Sequence, residues 1–164
     1  MIRCPNHTSL EQGLSWMARK SQQASDSILA KLQKARIARL ATLDSQRRPH
    51  IVPVCFVYEG SVFYTAVDRK PKSVLPEQLA RLRHIAAAPQ VALLIDEYSE
   101  DWAQLWYILV RGQAKLIAPS AHQERARAIR RLKEKYPQYA AGMLADDAPI
   151  VRITPERISS WGRI

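Results

Sequence analysis

Residues 36–67 read "RIARLATLDSQRRPHIVPVCFVYEGSVFYTAV". Ile37, Ala38, Leu40, Ala41 and Leu43 give the first eight positions the apolar content of a strand. "DSQRRP" is polar with a closing proline, the composition of a turn. "HIVPVCFV" (50–57) is again strand-like, Glu59-Gly60 marks a tight turn, and "SVFYTAV" (61–67) pairs back. The segment predicts a three-stranded antiparallel meander.

Working outward, helical spacing flanks the meander on both sides. Residues 8–34 read as helical, with Ile28, Leu29 and Leu32 apolar near the end and Asp26 as the expected N-cap of a second segment. Leu75, Leu79, Leu82 and Ile85 are spaced for a helix that Pro89 stops. "QVALLIDEY" (90–98) is a fourth strand, and "QLWYILVRGQAKLIA" (104–118) is a long fifth with a bulge expected at Gly112. Pro119 opens a basic helix, and "PIVRITPERISSWGRI" supplies a sixth strand. The order βββ-α-ββ-α-β lacks the alternation of a doubly wound sheet, and no GxGxxG occurs. The expected fold is mainly β with helices (α+β): a six-stranded antiparallel split β-barrel forming one domain over 1–164, with an N-terminal helical extension over about 1–34.

Composition narrows the class. At 47% hydrophobic and 24% charged, 164 residues suit one domain with a substantial core. No apolar run is long enough for a membrane span, and "MIRCPNHTSLEQGLSWMARK" has no signal-like apolar region, so a soluble cytoplasmic protein is expected. Cys4 and Cys55 could form one bridge, but a buried reduced thiol at Cys55 is the favoured reading. Neither CxxC nor zinc spacing is present, so no metal site is expected. The net charge of +10 raises nucleic acid as a partner. The basic residues are scattered, however, and no zinc finger, KH loop or aromatic RNP pattern accompanies them. A basic enzyme with anionic ligands explains the charge equally well.

Two features carry functional content. In "YTAVDRKPKS" (64–73), Arg69, Lys70 and Lys72 crowd around Pro71 where strand alternation ends. One reading is a solvated turn. The other is a phosphate cradle, in which Lys70 and Lys72 point to one side of an extended loop and Thr65 and Ser73 add hydroxyls. The second feature is the fifth strand, where Leu105, Tyr107 and Leu109 oppose Trp106, Ile108 and Val110. Ile51, Pro53 and Cys55 likewise oppose Val52, Val54 and Phe56. A barrel needs one apolar face per strand, so the surplus predicts a homodimer whose seam would make a cofactor cleft. His7 and His122 receive no role, and the Asp96, Glu97, Glu100 and Asp101 cluster reads as a solvated loop.

The runs "RIARLATLDSQRRPHIVPVCFVYEGSVFYTAVDRKPKS", "LARLRHIAAAPQVALLIDEY" and "DWAQLWYILVRGQAKL" together resemble the pyridoxamine 5'-phosphate oxidase-like split-barrel proteins. They look closest to the subgroup of deazaflavin (coenzyme F-420)-dependent oxidoreductases. The resemblance covers about residues 28–163. It implies a homodimer with FMN or F-420 in an interface groove and a small-molecule substrate. It places His50, Val52 and Pro53 near the ring, and Thr65, Lys70, Lys72 and Arg83 at the phosphate, beside the Ser73 hydroxyl of the cradle read above. Trp106 falls close to the seam. Relatives carry Asn where this chain has His84. The ending "RISSWGRI" lacks the Arg-Leu pattern of true pyridoxamine phosphate oxidases, which speaks against that activity. In hydride chemistry the cofactor carries the reaction, so no catalytic side chain is expected from the motif. The alternatives are a non-catalytic flavin- or haem-binding split barrel and, behind it, a nucleic-acid binder.

Overall fold

A computed structural model of the chain describes residues 25–69 and 79–164. It contains α1 (Asp26–Lys34), β1 (Ala38–Leu43), β2 (Pro49–Val54), β3 (Val57–Glu59), β4 (Val62–Ala66), α2 (Ala80–Ala87), β5 (Gln90–Glu97), β6 (Trp106–Leu116), α3 (His122–Lys135) and β7 (Ile150–Gly162). All strand pairings are antiparallel, in the order β2-β1-β5-β6-β7-β4-β3. The first and last strands of that order, β2 and β3, are separated in sequence only by Cys55 and Phe56. One short piece of chain therefore joins the two edges of the sheet, which must curl into a barrel split at that joint.

The split corrects the expected strand count from six to seven. "HIVPVCFV" is not one strand: Pro49–Val54 pairs with β1, and Val57–Glu59 pairs with β4. The expected three-stranded meander is therefore replaced by two hairpins, β1–β2 and β3–β4, at opposite ends of the strand order. In the first, Asp44 Oδ1 accepts from the backbone nitrogens of Gln46 and Arg48, both at 2.9 Å, which closes the turn. In the second the turn lies at Gly60-Ser61, one position later than expected, with φ +56 and +68. Positive φ at both central residues matches the twist of the flanking strands.

The bulge at Gly112 is present. The β6–β7 register shifts between Arg111 and Gly112, and a Cβ on Gly112 would lie 2.2 Å from the Thr154 carbonyl oxygen. Only glycine admits that approach. At α1 the cap is Ser25, whose Oγ accepts from Ile28 N, and not Asp26, which lies in the first turn, where its charge suits the helix dipole.

Two cores result. Leu40, Phe56, Phe63, Leu93, Ile108 and Ile153 fill the barrel, closed by Leu32 of α1 and by Leu82 and Ile85 of α2. Outside it, Ala128, Ile129 and Leu132 of α3 cover Val57, Val62, Tyr64 and Ile150. This second layer explains why all five residues of β4 are buried. The outer faces of β2, β6 and the end of β7 have no such cover: Ile51 is 63% exposed and Trp161 56%. In β6 it is Trp106, Ile108 and Val110 that face the core, and Tyr107 that faces out to stack on Trp161, ring centroids 5.9 Å apart.

Candidate functional site

The joint between β2 and β3 leaves the Phe56 backbone without a ladder partner. Tyr136, capping the end of α3, takes over that role. Its hydroxyl accepts from Phe56 N at 2.9 Å and lies 2.8 Å from Phe56 O and 2.9 Å from Arg36 O. Burial pushes the Tyr136 phenol up to about 12. Cys55 carries a free thiol that is half-buried instead of fully buried. It lines a cavity of about 720 Å³ with Arg36, Ile37, Tyr139 and Met143. Cys4 lies outside the described residues.

At the far end of β4, Thr65 is only 3% exposed. The chain leaves the strand through Val67 N, which donates to Pro149 O at 3.0 Å, and Arg69 N, which donates to Met143 O at 2.9 Å. Tyr139 donates its hydroxyl proton to Asp68 Oδ2 at 3.0 Å. Burial, the adjacent Cys55 thiol and the Asp68 carboxylate push the Tyr139 phenol far up. Arg81, in the first turn of α2, shares this neighbourhood: burial pulls its pKa down, while Asp68 and Tyr139 pull it back up. Guanidinium stays charged regardless. The two flanks of the basic loop thus meet around an Asp68–Tyr139–Arg81 group. Lys70, Lys72 and Ser73 lie outside the described residues. Arg83 is on the exposed side of α2.

On β2, alternation turns His50 and Val52 inward and Ile51 and Pro53 outward. His50 stands opposite Thr42 of β1, a buried hydroxyl 3.0 Å from His84 Nδ1. The rings of His50 and His84 meet edge to face, centroids 5.2 Å apart. Burial and then the His50 ring hold His84 below the usual imidazole range. His50 Nδ1 is buried without a hydrogen-bond partner. Because β2 pairs only with β1 along Pro49–Val54, its other backbone edge offers N–H and C=O groups to a ligand.

Strand register sorts the expected site residues. Thr65 pairs with Val151, and Val151 with Leu116 at the end of β6. Thr42 and His50 belong to the same end, since the neighbouring Ala41 pairs with Ala92 near the start of β5. Trp106 begins β6, roughly 30 Å away along the strand. It is buried, donates Nε1–H to Glu97 Oε2 at 3.0 Å, and carries Lys31 Nζ 4.5 Å from its ring centroid. His50, Thr65 and the loop flanks therefore share one end of a protomer, Val52 lies at mid-sheet level with Val110, and Trp106 does not join them. Arg81 and Thr42 belong to this end although the expected set omitted them. Arg81 was legible only as one more charge in "ARLRH"; Thr42 carried no signal, being one small residue in an apolar strand.

Residues 24–162 match the family described as pyridoxamine 5'-phosphate oxidase. The chain belongs to that family. Solved structures with the same fold include the haem storage protein HutZ of Vibrio cholerae, 17% identical over 81% of this chain and 89% of that one, TM-score 0.64. A FAD-binding protein of Mesorhizobium loti is 21% identical over 84% and 94%, TM-score 0.60. A haem-binding protein of Mycobacterium smegmatis is 17% identical over 85% and 55%, TM-score 0.65. No curated protein matches the chain. Fold neighbours of this family member thus bind flavin or haem. Among the described residues no helix is long and apolar enough to cross a membrane.

Proposed function

We propose that the protein is a flavin- or deazaflavin-dependent oxidoreductase that uses FMN or coenzyme F-420 to move hydride to or from a small organic substrate. The observation that carries this reading is the convergence at one barrel end of an unpaired strand edge, the partnerless His50 Nδ1, the buried Thr65 and both flanks of the basic loop. A phosphorylated ring cofactor needs hydrogen-bonding groups for a polar ring edge and cations for its phosphate. The residues present fit. The β2 edge and His50 would meet the ring, with Val52 on the inner side and Pro53 on the outer. Lys70, Lys72 and Ser73 would hold the phosphate, joined by Thr65, Arg81 and Arg83.

When bound, the cofactor supplies the atom that gives or takes hydride; the chain orients the ring and keeps water from one face. In this reading the protein acts in the cytoplasm as a homodimer. The uncovered faces of β2 and β6 lie at the seam, and Trp106 serves α1 packing.

A second reading, haem handling without turnover, is favoured by the His50–His84 imidazole pair and by the haem-binding fold neighbours. Absorbance titration of the cofactor-free protein with FMN, F-420 and hemin separates these. One of the first two should bind at least about tenfold tighter than the other, or about 1.4 kcal/mol. A hemin Soret shift that disappears in His50→Ala and His84→Ala, with neither FMN nor F-420 bound, would replace the oxidoreductase reading by the second.

A further inference from the structure

Tyr64 precedes Thr65 on β4 and so points to the opposite face of the sheet. On that face, away from the cofactor end just described, a second cavity of about 760 Å³ opens between the β3–β4 hairpin, β7 and the start of α3. Its volume lies within the range of small-molecule pockets. The side chains that give it character are Glu59, Tyr64, Glu124, Arg127 and Arg152.

Most polar groups there are engaged. Tyr64 donates its hydroxyl proton to Glu124 Oε1 at 3.0 Å, and Arg152 Nη1 lies 3.4 Å from the same oxygen. Arg131 Nε lies 3.0 Å from Glu59 Oε1. Two atoms are left over. Glu59 Oε2 and Arg152 Nε are buried without a hydrogen-bond partner, and among the described residues the only other such side-chain atom is His50 Nδ1. Arg127 Nε is 3.7 Å from Glu59 Oε2, within ion-pair range but too long for a hydrogen bond. A buried acceptor and a buried donor, both on charged groups, carry a desolvation cost that a matching ligand removes.

We propose that this cavity binds a small zwitterion, its ammonium donating to Glu59 Oε2 and its phosphate or carboxylate accepting from Arg152 Nε. Two arginines and two glutamates line the cavity, so a ligand carrying both signs suits it better than a bare anion. The start of α3 strengthens the anion side: Ala121 provides no side-chain cap, and Ala121, His122 and Gln123 at the positive end of this 14-residue helix line the cavity.

Calorimetric titration tests the site, with O-phosphoethanolamine and β-alanine as zwitterions, and inorganic phosphate and ethanolamine as the separate halves of the first. At least one zwitterion should bind saturably, about tenfold tighter than either half. The better of the two identifies the anionic group. Arg152→Gln should cost about tenfold or more in affinity. Arg152→Lys keeps the charge beside Glu124 but lacks the Nε donor, and should weaken binding with an unchanged circular-dichroism spectrum. Glu59→Gln should reduce the preference for O-phosphoethanolamine over phosphate. Absence of binding by all four probes at millimolar concentration would overturn the site and assign both atoms to ordered water only. Binding unaltered by either Arg152 variant would place the ligand elsewhere. Phosphate binding as tightly as O-phosphoethanolamine would overturn the zwitterion assignment.

Discussion

The hydroxyl of Tyr136 lies 2.9 Å from the backbone nitrogen of Phe56 and 2.8 Å from its carbonyl oxygen, bridging the break that divides the edge strand into β2 and β3. A residue 80 positions away thus closes the barrel at the point where the ladder fails. Tyr136→Phe keeps the ring and strands both backbone groups in a buried place. It should destabilise the fold by about 1–3 kcal/mol, read as a shift in the denaturation midpoint at unchanged slope.

The same phenol gives a pH signature. Burial raises Tyr136 from 10.0 to about 12 in the fold. Its contribution is therefore complete below pH 10 and falls as pH rises from about 10 to about 12, because the unfolded chain releases the proton first. Lys135, its neighbour, works in the other direction. Burial lowers it from 10.5 to about 8, so between those values the unfolded chain holds more protons and stability rises with pH. Denaturation from pH 7.5 to 11.5 should show the falling limb in wild type and lose part of it in Tyr136→Phe. Lys135→Met should flatten the rise between 8 and 10.5. A pH-independent difference between wild type and either variant would contradict the assignment of that limb.

Gly112 makes a purely steric prediction. A Cβ there would meet the Thr154 carbonyl oxygen at 2.2 Å, and Gly112 and Thr154 both lie in paired backbone. Gly112→Ala must displace β6 from β7 and should cost about 1–3 kcal/mol. Full retention of the melting temperature would mean that the bulge relaxes freely.

What the sequence made legible was local. Two-residue periodicity over 36–67 and 90–118 found the strands, and an isolated glycine in an apolar run found the bulge. The split at Cys55-Phe56 was hidden because "HIVPVCFV" is continuous as a pattern; Tyr136 and the sheet closure break it. Alternation also showed that both faces of β6 are apolar without showing which is inside. That depends on α1, whose Lys31 sits over the Trp106 ring, and on α3 covering β4 while leaving Tyr107 bare. At the site, His50 was visible as the start of a strand. The hydroxyl that holds His84 beside it comes from Thr42, 42 positions distant, and no local spacing reports such a pairing.

The phosphate reading of "DRKPKS" is tested by subtraction. If Lys72 meets the cofactor phosphate, Lys72→Ala should lose a charge-assisted hydrogen bond of about 1.5–3 kcal/mol, roughly 10- to 150-fold in FMN affinity. Lys70→Ala should cost less. Riboflavin, which lacks the phosphate, should bind wild type weakly and be nearly indifferent to Lys72→Ala. Equal weakening of both ligands would mean that Lys72 shapes the loop, and the phosphate would then be sought at Arg81 and Arg83.

Assembly supplies the last test, and the geometry chooses its mutations. Trp106 is 6% exposed and tied to Glu97, so Trp106→Lys would damage the barrel itself and report little about association. Tyr107 and Trp161 are paired across β6 and β7, stacked, and outward; Ile51 is outward on β2. An apolar surface of this kind on three strands needs cover, which in the proposed function a second copy of the chain would supply with two-fold symmetry. Sedimentation should show a dimer at micromolar concentration. Trp161→Lys and Ile51→Lys should each shift it toward monomer while leaving the circular-dichroism spectrum unchanged, because neither side chain belongs to a core. If the cofactor groove is built at that seam, the monomeric variants should also bind FMN or F-420 more weakly. A wild-type monomer would remove the dimer from the proposed function, and a dimer indifferent to both substitutions would move its interface to another face.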